Sequence, residues 1–204
     1  MQECFQQLLS GYTSESKQVE EFWKEVEMHY SGANRYYHTL AHLELMYQQL
    51  AACRQWIEDW DTVLFSLFYH DIIYNPLQQD NEEQSASLIV QRLQALSYPE
   101  QKIARCQAQI LATKKHQQEA DTDANYLTDA DLSILGSNWD TYTQYAVNIR
   151  KEYAVYPDPL YKPGRAKVLQ HFLQMERVFK TPYFFERFEQ QARQNLAAEL
   201  QQLN

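Results

Sequence analysis

The chain of 204 residues is poor in glycine, with four, and modest in proline, with six. So few turn-forming residues argue against an all-β sandwich and against a doubly wound α/β fold, both of which need many tight connections. Cysteine is also scarce. Cys4, Cys53 and Cys106 are odd in number and show no paired spacing, which argues against a disulfide framework and against a cysteine-ligated zinc cluster. No apolar run approaches the roughly 18 residues that a membrane span requires. The N-terminal MQECFQQLLSGYTSES lacks a charged segment followed by an apolar one, so no signal peptide is expected. Positive charge is short as well. Lysine and arginine total 18 against 27 aspartate and glutamate, a net charge of −9, and a general nucleic-acid binder needs the opposite balance. These absences lead to the expectation of a cytoplasmic protein, with neither a membrane nor a nucleic-acid duplex as partner.

What is present is an ordinary globular balance, 45% hydrophobic and 22% charged, in a chain long enough for one sizeable core. A single domain over 1–204 is expected. Apolar residues recur at helical spacing almost throughout: Val19, Phe22, Trp23 and Val26; Leu40, Leu43, Tyr47 and Leu50; Ala86, Ile89, Val90, Leu93 and Leu96. DTVLFSLFYHDII is apolar all round, as a central helix would be. Gly136 is placed as a helix C-cap and Asn138 as an N-cap. The proline-rich stretch from Tyr156 to Arg165 reads as a long connecting or functional loop, and HQQEADTDAN as a second, polar one.

Against this pattern, charge stands on faces that should be apolar. Residues three and four apart share a helix face. Asp71 follows Leu64, Leu67 and Phe68, and His70 follows Val63 and Leu67. Asp131 shares a face with Leu127 and Ile134. Asp129 goes with Tyr126 and Leu132 and is less clearly interior, so Asp131 is the preferred ligand of the two. His38 and His42 are four apart, and Leu45 and Met46 continue their side. Glu82 lies on the stripe of Ala86, Ile89 and Leu93. Taken singly, each has a plain structural reading: a hydrogen-bonded core histidine, a cap, a solvated rim. As a set, His42, His70, Asp71 and Asp131 all point inward. Two carboxylates buried near each other repel unless a cation intervenes. Few basic residues lie on the apolar stripes, and a divalent metal suits imidazole plus carboxylate ligands.

A histidine, then a histidine–aspartate doublet on a later helix, then a further aspartate, all in a helical chain, resembles the HD superfamily of metal-dependent phosphohydrolases. RYYHTLAH, FYHDIIY, DNEEQSA, TDADLSILG, GRAKVL and ARQNL together resemble a bacterial subgroup of HD-type proteins with no assigned substrate. The resemblance covers most of the chain. It implies an all-α, HD-domain-like bundle, with a metal-site core over about 34–136 and C-terminal helices over 138–204 packed on it. His42 then corresponds to the first histidine, His70 and Asp71 to the doublet, and Asp131 to the last ligand. Dinuclear HD enzymes carry extra histidines between doublet and last aspartate, whereas only His116 stands in that interval here, so one ion is expected. Mn, Co, Ni, Fe or Mg fits mixed ligation with open positions, and Zn is less natural.

The implied reaction is attack of metal-activated water on the phosphorus of a small phosphorylated metabolite, with nucleotides the leading candidates. Glu82 is assigned to take a proton or orient the water. His38 is assigned to steady a ligand or touch substrate. Arg35, Lys114, His116, Lys162, Arg165 and Tyr74 are the candidate substrate contacts, with Lys115, Tyr36 and Tyr37 beside them. A homodimer is compatible with this reading. Two alternatives stand beside it: a dinuclear iron oxygenase of the HD fold, and a non-catalytic regulatory protein that binds a metal or nucleotide.

Overall fold

The scarcity of turn residues is matched by what the chain builds. In the computed structural model, which describes residues 1–203, there are ten α-helices, two short 3-10 turns and no strand among the described residues. No helix there is long and apolar enough to cross a membrane. The helices form two compact units, Met1–Thr128 and a second that begins at Asp129.

The first unit contains α1 (Gln2–Ser10), α2 (Ser16–Tyr30), α3 (Leu40–Ala52), α4 (Trp60–Tyr69), α5 (Asn81–Ala95), α6 (Glu100–Ala112) and the start of α7 (Thr122–Leu132). The apolar run of α4 explains its place: every residue from Thr62 to Tyr69 is buried, with α1, α3, α5 and α6 packed around it. Each large apolar side chain so buried contributes about 1.5–3 kcal/mol relative to exposure. Phe5 of α1 meets Phe68 at a ring separation of 4.6 Å. The entry to α4 is capped twice. Asp59 accepts from the Thr62 amide at 3.4 Å, and the buried Asp123 accepts from the Glu58 and Asp59 amides at 2.9 and 2.8 Å. These bonds satisfy amide donors that a helix start leaves without partners.

The apolar run reads as one helix through Ile73, but α4 stops at Tyr69. His70 keeps helical angles as its C-cap, and the Ile72 amide turns back to the Tyr69 carbonyl at 3.3 Å. The doublet therefore sits at a helix end rather than inside a helix.

The second unit holds the last turn of α7, a 3-10 turn (Ser133–Gly136), α8 (Trp139–Glu152), α9 (Asp158–Gln174) and α10 (Pro182–Leu203). Asn138 caps α8 by accepting from the Thr141 amide at 3.0 Å. Gly136 serves close packing. A Cβ there would lie 2.5 Å from Phe188 Cβ and 2.7 Å from the Phe188 carbonyl oxygen, so only glycine lets α10 approach. Asn195 of α10 fastens that approach, donating to the Leu135 and Ser137 carbonyls at 2.8 Å each.

Two loops read from the sequence need correction. The stretch from Tyr156 to Arg165 is mostly helix, because α9 begins at Asp158. Pro159 falls in the first turn, where a missing amide hydrogen leaves no gap, and Pro163 forgoes only one backbone bond. The polar stretch after His116 already enters α7 at Thr122. Asn125 closes the preceding loop, accepting from the Glu119 amide and donating to its carbonyl, both at 2.8 Å.

Candidate metal centre

Within the first unit, the start of α3 and the end of α4 bring three ligand-type side chains together. His42, in the first turn of α3, and His70, at the end of α4, are buried, and Asp71 is half-buried. The His42 and His70 Nε2 atoms lie 3.3 Å apart. Asp71 Oδ2 is 3.0 Å from His70 Nε2 and 3.9 Å from His42 Nε2. His38 borders the group, its Nε2 3.8 Å from the same carboxylate oxygen.

The protonation of His70 follows from one contact. Its Nδ1 lies 2.9 Å from the Leu67 carbonyl oxygen. A carbonyl can only accept, so Nδ1 carries a hydrogen, and Nε2 is the ring atom turned toward Asp71 and His42. That nitrogen faces a carboxylate oxygen and a second imidazole nitrogen. Nitrogen and carboxylate oxygen atoms gathered this closely are held together by a shared proton or by a cation. Two imidazole nitrogens and one carboxylate make a suitable donor set for a divalent transition ion, so this group could hold a metal.

The two aspartates of α7 differ in what they already bind. Asp129 is fully buried within the second unit. It accepts from the Lys180 amide at 2.9 and 3.0 Å, from the Thr181 amide at 2.7 Å and from the Thr181 hydroxyl at 2.8 Å. Its carboxylate is thus used at the start of α10. Burial pushes the Asp129 carboxyl up, against the opposing pull of Lys180 and these donors. Asp131, on the last turn of α7, is half-buried. Lys180 has a buried side chain whose Nζ donates to the Val178 carbonyl at 2.8 Å and lies 3.8 Å from Asp129. Burial lowers its pKa, against the charges of Asp129, Asp131 and Glu189. The sequence reading passed over Lys180, since RVFKTPYFF shows no periodic break that would mark it as interior.

The remaining candidates fall in several places. Glu82 is half-buried in the first turn of α5; burial raises its pKa and the Asp71 charge adds to the rise, while Lys114 opposes it. Lys114 donates to Glu83 and to the Gln79 carbonyl, each at 2.5 Å, and stands 3.8 Å from Glu82. Lys115 is exposed, and the half-buried His116, after α6, has a positive φ of 50°. The Tyr74 ring lies 4.2 Å from that of His38 and the Tyr37 ring 4.8 Å from that of His42, while Tyr36 is exposed.

Three of the proposed substrate cations have different surroundings. Arg35 points inward to backbone carbonyls of His38, Asp71 and Ile72. Lys162 is exposed on α9. Arg165 is buried in the second unit, with Nε and Nη2 donating to the two oxygens of Glu199 at 2.8 and 2.9 Å. Tyr142 donates to the same carboxylate at 2.5 Å. This is a fork-shaped pair within a helical core, and its partner carboxylate lies 34 residues away, beyond the reach of local pattern. No family model, curated protein or solved structure matches the chain.

Proposed function

We propose that His42, His70, Asp71 and Asp131 hold one divalent cation, and that the chain is an HD-type phosphohydrolase acting on a small phosphorylated metabolite, nucleotides foremost. The observation that carries this reading is the convergence of two imidazole nitrogens and a carboxylate on one point. His70 Nε2 lies 3.0 Å from Asp71 Oδ2 and 3.3 Å from His42 Nε2, a donor set that suits a divalent ion. The order of histidine, doublet and aspartate supports the same reading. So does the use of Asp129 at the start of α10, which makes Asp131 the better fourth donor.

When bound, such an ion supplies polarisation of a phosphoryl oxygen and makes water acidic enough to attack near neutral pH. The protein's own groups do the rest. Glu82 has its carboxyl raised by burial and by Asp71, which brings it closer to the range of a useful proton acceptor. His38, backed by the Tyr74 ring, steadies Asp71 and offers a ring nitrogen to substrate. Mn, Co, Ni, Fe and Mg are the candidate ions, ahead of Zn.

The test is metal analysis of the purified chain, joined to a phosphate-release screen of nucleotides and phosphorylated metabolites with each metal. The reading expects one ion per chain, turnover of at least one phosphate ester, and loss of both in His70→Ala. Equal metal uptake by the parent and His70→Ala, with no phosphate released under any metal, would sink it. Two irons per chain would point instead to oxidative chemistry.

A further inference from the structure

We propose that Arg35 is a positioning residue of the metal centre. Its guanidinium fixes the backbone beneath both His38 and the doublet, and so sets the aim of the Asp71 carboxylate and the His38 ring. The proposal rests on the metal-centre reading above and adds a residue to it.

Arg35 lies in the connection between α2 and α3. Nη1 donates to the Asp71 carbonyl at 2.8 Å and to the His38 carbonyl at 3.1 Å, and Nη2 donates to the Ile72 carbonyl at 2.8 Å. One side chain thus joins the segment that carries His38 to the turn that carries the doublet. The geometry has a physical origin. The Asp71 and Ile72 carbonyls lie just past the end of α4, where carbonyls lack intrahelical partners and carry partial negative charge, so a cation there satisfies and stabilises them. The planar fork of arginine can serve three acceptors in fixed directions, which a lysine ammonium cannot. The fork is itself held, with its central carbon 4.8 Å from the Tyr30 ring centre and 5.4 Å from that of Tyr74. Tyr74 in turn lies against His38, so the clamp, the ring beside it and His38 form one packed group. With the Asp71 carbonyl tied to Arg35, its carboxylate is left on the side of His70, at 3.0 Å.

The experiment compares the full-length parent, Arg35→Ala and Arg35→Lys in two measurements. The first is titration with Co²⁺, read by visible absorption, which reports ligand geometry as well as affinity. The second is the NMR ring signals of the histidines in metal-free protein. We expect Arg35→Ala to bind Co²⁺ roughly 10- to 100-fold more weakly, as loss of a group that orients ligands does. We also expect a changed absorption band at saturation, and no rescue by Arg35→Lys. In the metal-free protein the His38 and His70 ring signals shift, while that of the exposed His171, on α9, stays in place. Unchanged affinity, band and ring signals in Arg35→Ala would overturn the proposal. If the parent itself takes up no Co²⁺, the metal reading fails and the ring signals alone decide the role of Arg35. If Arg35→Ala does not fold, Arg35→Gln, which keeps a planar amide donor, takes its place with a smaller shift expected at the same two rings.

Discussion

His42 and His70 present their Nε2 atoms to each other across 3.3 Å, with the ring planes tilted by 56°. Asp71 reaches the same point from the end of α4. A ligand that binds this group only in the folded chain stabilises the fold by mass action. At a metal concentration 100 times the dissociation constant the gain is about 2.7 kcal/mol. For a chain of this size that raises the melting temperature by roughly 5–10 °C. Chelator-treated parent should show this rise on adding Mn²⁺ or Co²⁺, and Asp71→Asn should show little. A parent melting curve that ignores every divalent metal tried would remove the basis for the site.

Asp129 and Asp131 separate structure from binding. Asp129→Ala strips partners from the half-buried Lys180 amide and from the buried Thr181 amide and hydroxyl, and each buried donor left bare costs about 1–3 kcal/mol. We expect that variant to lose several kcal/mol of stability in urea unfolding yet keep its metal uptake. Asp131→Asn should do the reverse, keeping its unfolding midpoint and losing uptake at least tenfold. If Asp129→Ala folds normally and binds no metal, the assignment of the two aspartates is inverted.

Arg165 and Glu199 form a buried pair, with side chains 8% and 10% exposed. Removing one partner leaves a bare buried charge, which costs about 3–5 kcal/mol. Arg165→Ala should therefore melt roughly 6–20 °C below the parent. Lys162→Ala, at an exposed position on the same helix, should stay within about 0.5 kcal/mol. A parent-like melting temperature for Arg165→Ala, with weakened substrate binding, would return Arg165 to the substrate contacts.

Acid should weaken the first unit through Asp59 and Asp121. Burial works to raise both carboxyls. Hydrogen bonds outweigh it, from Thr62 and Lys102 for Asp59 and from Arg105 and Gln109 for Asp121, and hold both below the usual aspartate range. Unfolded aspartate titrates near 3.9. With folded values lower than that, the stabilisation is fully present above about pH 4 and is lost as pH falls through the depressed values. Arg105 reaches Asp121 at 2.7 Å and Asp59 at 4.0 Å. Arg105→Ala should be less stable than the parent at pH 7 and lose less between pH 7 and pH 3. Equal losses for the two proteins over that interval, measured by urea midpoints, would count against the linkage.

How much of this was legible in the sequence varies element by element. The helices were, because a 3.6-residue repeat of apolar side chains is a local property and α4 declares its burial by being apolar on every side. The candidate ligands were legible for the same reason: a histidine or aspartate on an apolar stripe stands out without any knowledge of its partners. The Asn138 cap was readable from its place before a periodic run. Three things were not. The end of α4 at Tyr69 is marked by the Ile72 amide turning back to the Tyr69 carbonyl, and the Asp71 carbonyl beyond it is bound by Arg35, 36 residues earlier. The helix through Pro159 and Pro163 carries Arg165, which is held by Glu199 34 residues on, and proline alone reads as a break. The use of Asp129 at α10 is decided by amides more than 50 residues away. Periodicity determined which residues form helices and which polar groups turn inward. Only tertiary structure decided which inward charges meet one another, because that pairing is made by residues far apart in the chain, and no local spacing encodes it.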